Sequence, residues 1–76
     1  MDCLLSKEVW QKEFGRKLQF AIKMAGMSIR EFSKRLNVSR ETVYRYINGE
    51  ATPSAYTIFV MSEVLKLTPN YFIAVV

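Results

Sequence analysis

Apolar residues return along the chain at intervals of three and four, and capping residues cut that rhythm into short helical segments. Trp10, Phe14, Leu18, Ala21, Ile22 and Ala25 form the first stripe and predict helix over residues 7–25. Ser6 is placed to cap its start, with Leu5 and Trp10 at the two hydrophobic-staple positions. Gly26 offers a left-handed stop, while Gly15 in mid-stripe argues against one unbroken helix. Ser28-Ile29-Arg30-Glu31 then reads as a capping box, in which hydroxyl and carboxylate each satisfy an amide at the helix start. Phe32 and Leu36 point inward along this second helix. Asn37 tolerates positive φ and turns the chain, and Val38 is the buried turn residue. Ser39 caps a third helix with Val43, Tyr46 and Ile47 inward, ended by Asn48-Gly49.

Beyond a loop at residues 50–52, Pro53 suits the first turn of a fourth helix. Ile58, Met61, Ser62 and Leu65 form its inner face, and Phe59, Val60 and Val64 are left over. Thr68 and Pro69 open a fifth short helix through Tyr71, Phe72 and Ile73. Residues 71–76 also have strand composition, so a terminal strand is the alternative there. The expected fold class is all-α, with five short helices.

A length of 76 residues confines the chain to one domain, and a composition that is half hydrophobic excludes a disordered tail. A lone core of this size is marginal without a staple. Cys3 is the only cysteine and histidine is absent, which excludes an internal disulfide and a structural zinc site. A partner chain is the staple that remains. The missing histidine also removes the usual general base and the common nucleophile pairs. The acids are scattered and the three glycines stand alone, so no catalytic residues, metal or cofactor are expected and the protein is not read as an enzyme. No apolar run approaches the roughly 18 residues of a membrane span, and the N-terminus lacks a charged signal-peptide start. A cytoplasmic protein without membrane contact is expected.

The net charge is +4, and all of the excess lies in the first fifty residues; beyond them stand only Glu63 and Lys66. Such a field suits nucleic acid or another anionic surface.

The stretch from Ser28 through Asn48-Gly49 to Pro53 resembles the helix-turn-helix of the phage-repressor, Cro and XRE family. Its marks are a capping Ser, a short helix, a tight turn ending in Val38-Ser39, a second helix, Asn-Gly, and a proline four residues on. The likeness runs over residues 14–73 and implies a lambda-repressor-like DNA-binding domain. Residues 1–13 are then an N-terminal extension, expected to be partly helical, and residues 74–76 a tail. Ile29 stands where the family has a Gln that holds a DNA phosphate, Ser33 replaces a common Ala, and Asn37 a common Gly. Ile22 and Ile47 occupy the positions of an Arg–Glu pair found in many members. Both halves are changed together, as a swap to an apolar contact requires.

The resemblance implies a recognition helix at residues 40–48 lying in the major groove of double-stranded DNA. Arg40, Glu41, Tyr44 and Arg45 would face the bases there, Arg suiting guanine and Glu the cytosine amine. Ser39 and Thr42 are candidates for a base edge or thymine methyl, and Ser28 and Asn48 for phosphates. The same residues also fit a solvated helix face on which Glu41 and Arg45 pair across one turn. The function implied is a phage-type or mobile-element-type transcriptional repressor acting as a homodimer on a palindromic operator. Candidates for the self-interface are Phe59, Val60, Val64, Tyr71, Val75 and Val76, with the N-terminal extension as a possible addition; Phe72 reads as core. The alternative is a module that captures a heterologous protein, such as an antitoxin or anti-regulator.

Overall fold

The computed structural model describes residues 6–73, and these form five helices: α1 (Lys7–Met24), α2 (Ile29–Leu36), α3 (Arg40–Ile47), α4 (Ala55–Leu65) and α5 (Asn70–Ile73). Serine caps account for four of the starts. The hydroxyls of Ser6, Ser28, Ser39 and Ser54 accept the backbone N–H of Val9, Glu31, Thr42 and Thr57, each three residues on. The stops use left-handed backbone. Gly26 and Gly49 take φ of 72° and 75°, and Asn37 and Lys66 take 63° and 59° without being glycine. Leu5 of the expected staple, the tail at 74–76, and the interface candidates Val75 and Val76 lie outside the described residues.

Helix α1 packs on α3 and α5, and α2 packs on α3 and α4. The side chains of Phe14, Leu18 and Ile22 from α1 meet Phe32 and Leu36 of α2, Val43 of α3, Ile58, Met61 and Leu65 of α4, and Phe72 of α5. Phe14 is the hub. Its ring stacks on Trp10 at 5.2 Å and meets Phe72 at 5.4 Å and Tyr46 edge-on at 6.5 Å. The departures from the apolar rhythm are local, and each has a cause.

Helix α1 is unbroken through Gly15, because the glycine is there for closeness rather than for flexibility. A Cβ at that position would lie 2.8 Å from the Tyr46 carbonyl oxygen and nearer still to that of Ile47. Ala25 is exposed, since the helix ends one residue before it. The capping box at Ser28 is half formed: the Glu31 carboxylate turns to Arg35 at 3.2 Å instead of to the cap. Val38 is half-buried rather than buried. Pro53 precedes α4 instead of starting it, because Ser54 takes the cap; the proline ring is buried. Residues 71–73 are helical, which removes the strand alternative as far as the description reaches. Helix α3 ends at Ile47, with Asn48 as its cap.

Candidate nucleic-acid interface

Helix α3 is fixed to the body of the protein along one side and bare along the other. Val43 is fully buried, and Tyr46 and Ile47 are half-buried against the core. At the C-terminal end two glycines bring α1 close: Gly15 under the last turn, and Gly49, where a Cβ would lie 3.1 Å from the Lys12 side chain. The loop that follows is tied to α1 by a buried amide, Gln11, whose Nε2 donates to the Thr52 hydroxyl. A buried polar group satisfied in this way holds position, because breaking the bond leaves it without water to replace the partner. Sequence reasoning missed Gly15 and Gln11 as anchors. A glycine in the middle of an otherwise regular apolar stripe was the available signal for the first; none marks the second.

On the bare side stand Arg40, Glu41, Tyr44 and Arg45, all exposed. None of the four forms a hydrogen bond or ion pair with its side chain; the ion pairs among the described residues are Glu13–Arg16 at 2.9 Å and Glu31–Arg35 at 3.2 Å. The alternative of a Glu41–Arg45 pair across one turn is therefore not what the helix adopts. Their helical spacing puts the four on one face, with free guanidinium, carboxylate and phenol groups. Such a face can donate to and accept from base edges without first breaking an internal bond.

The other candidates are differently placed. The Ser39 and Thr42 hydroxyls bond each other at 2.9 Å, and Ser39 also accepts the Thr42 amide, so the cap uses part of their hydrogen-bonding capacity. Thr42 is half-buried. Ser28 and Asn48 are exposed at the start of α2 and the end of α3. Of the self-interface candidates, Phe59 projects, about half exposed, whereas Val60 and Val64 lie half-buried against the core. Tyr71 is engaged within the chain. Its ring meets Phe72 at 5.1 Å and lies 5.6 Å beneath the Lys17 ammonium, which also donates to the Tyr71 carbonyl at 3.0 Å.

Among the described residues no cluster of His, Cys, Asp or Glu has the arrangement of a metal site, and no helix is long and apolar enough to cross a membrane.

The family model described as helix-turn-helix matches residues 18–72. Among solved structures the chain is similar to the restriction-modification controller protein C.AhdI from Aeromonas hydrophila. The identity is 19%, the TM-score 0.77, and the match covers 82% of this chain and 94% of that one. It is also similar to an HTH_3 family transcriptional regulator from Vibrio cholerae, at 18% identity and a TM-score of 0.81, over 88% of this chain and 38% of that one. At these identities the likeness establishes the fold. No curated protein gives a sequence match.

Proposed function

The chain belongs to the helix-turn-helix family of DNA-binding transcription regulators, and on that premise we propose that it is a repressor that reads an operator with α3. The observation that carries this is the bare face of α3, where Arg40, Glu41, Tyr44 and Arg45 stand without internal partners on a helix seated against α1. A recognition helix needs both properties. Rigid seating fixes register, and free polar ends supply the hydrogen bonds that distinguish base pairs. Arg40 and Arg45 favour guanine in the half-site and Glu41 favours cytosine, with Ser39 and Thr42 at its edge. Ser28 and Asn48 take backbone phosphates, which position without specifying. The reading unit spans residues 14–73.

One such unit covers little DNA, and two copies on half-sites about one helical turn apart reach the affinity of an operator. We assign the self-contact to the α4 surface around Phe59, flanked by Val60 and Val64. Selection of bound sequences from a random duplex pool tests the reading: a palindromic motif with G·C pairs supports it, and an unenriched pool contradicts it. Capture of a different protein by the same apolar surface is the competing use. The exposed Phe59 and Tyr56 favour it as much as they favour a second copy, and solution mass with and without duplex separates the two.

A further inference from the structure

Helix α1 buries one face in the core. The opposite face returns at intervals of four and three through Val9, Glu13, Arg16, Phe20 and Lys23, with Met24 beside the last. Val9, Phe20 and Met24 are 45%, 58% and 69% exposed. A shallow depression lies beside the Phe20 ring, bordered by Glu13, Arg16 and Lys23. Single apolar residues on a surface need no explanation, but three in line over about 22 Å of one helix form a stripe. Cations flank it. Lys12 and Lys23 are exposed and form no ion pair among the described residues, and Arg16 keeps about three-quarters of its side chain in solvent while bonded to Glu13.

We propose that this outer face of α1 docks an acidic amphipathic helix of another protein. The apolar stripe of the partner lies along Val9, Phe20 and Met24, and its carboxylates meet Lys12, Arg16 and Lys23. Charge complementarity selects the acid. The four-three spacing selects a helix, which presents its own side chains at the same period. Glu13 separates this occupant from a bilayer or a nucleic acid. It stands on the midline of the face between Val9 and Phe20, where a continuous layer of phosphates repels it, whereas a folded partner can place a neutral group or a donor at that one point. The face shares no residue with the reading face of α3 or with the α4 patch around Phe59, so docking here requires neither DNA nor a second copy.

Displayed random peptides, selected on the immobilised full chain, probe the face without a known partner. Enriched peptides should be acidic, carry apolar residues three and four apart, and gain helix on binding. Each is then titrated by fluorescence anisotropy against wild type, Phe20→Ser, Lys23→Glu and Ile73→Ser. Phe20→Ser and Lys23→Glu should each weaken binding about tenfold, the second loss shrinking in high salt. Ile73→Ser, which alters an exposed apolar residue of α5, should leave it unchanged. All three side chains are exposed, so the variants should keep the wild-type helix content. An unenriched pool, enriched peptides without acids, or binding indifferent to Phe20→Ser and Lys23→Glu overturns the proposal. Sedimentation of the wild type with phosphatidylglycerol vesicles that both substitutions abolish would give the face to a bilayer, and self-association abolished by Phe20→Ser would give it to a second copy; either result overturns it too.

Discussion

Gly15 of α1 and Ile47 of α3 meet backbone to backbone, with no room between them for a methyl group. The contact sets the depth at which the C-terminal end of α3 sits in the protein, and therefore how far its opposite face stands out. Helix α1 gives up the propensity of a better helix former at position 15 to allow it, a cost of roughly 0.5–1 kcal/mol relative to Ala.

Gly15→Ala should therefore destabilise the fold although alanine is the stronger helix former. Forcing a methyl between two backbones costs about 1–3 kcal/mol. In a domain of this size that corresponds to a drop in Tm of roughly 4–8 °C per kcal/mol. Thermal melting checks it, and a variant as stable as the wild type would mean that the two helices can part without loss.

Two helix stops hold non-glycine residues in left-handed backbone, Asn37 and Lys66. Asn37→Ala should cost about 1 kcal/mol, since alanine lacks the local hydrogen bonding that makes this conformation tolerable for asparagine. Lys66→Gly should instead be neutral or stabilising by up to about 1 kcal/mol, the relieved strain being set against a freer unfolded chain. Urea midpoints of the two variants shifting in the same direction would contradict the assignment.

The contrast between these positions shows what is legible from residues in order. Ser6, Ser28, Ser39 and Asn37 act within three or four residues of themselves, so local chemistry identifies them. The bare face of α3 was legible for the same reason: Arg40, Glu41, Tyr44 and Arg45 follow from the helical period once Val43 is placed inside. Gly15 and Gln11 answer to partners about thirty and forty residues away, and no local rule reaches that far. Pro53 was assigned to the helix because proline is a good first-turn residue; Ser54 is the better cap and moved the start two residues on. Tyr71, a self-interface candidate by its place in the apolar tail, meets the Lys17 ammonium and the Phe72 ring within the chain, and the Lys17 contact joins residues too far apart for a local rule to mark.

Ile22 is buried in the core and Ile47 packs against the same cluster. Ile22→Arg alone should cost about 3–5 kcal/mol by burying an unpaired charge, and Ile47→Glu should also destabilise. The double variant should recover a substantial part of the summed loss. Denaturant titrations arranged as a double-mutant cycle measure the coupling, and additivity within about 0.5 kcal/mol would separate the two side chains.

Phe59 projects from α4 with about half of its surface exposed, so replacing it should leave the monomer intact. Phe59→Asp should convert a dimer to a monomer in sedimentation or light scattering while leaving helix content unchanged, because it buries an unpaired carboxylate in the contact. A wild type that is monomeric both free and on DNA would remove the interface from α4.

The central claim is that the unpartnered face of α3 reads sequence. Its most direct measurement is the ratio of affinities for the selected operator and for a scrambled duplex of equal length, taken at one salt concentration for the wild type, Arg40→Ala and Arg45→Ala. The wild type should prefer its operator. Each substitution should cut the preference by about 1–3 kcal/mol, roughly 5- to 150-fold, while the scrambled duplex loses much less and the melting temperature is unchanged. A preference that survives both substitutions, or losses equal on both duplexes, would contradict the claim.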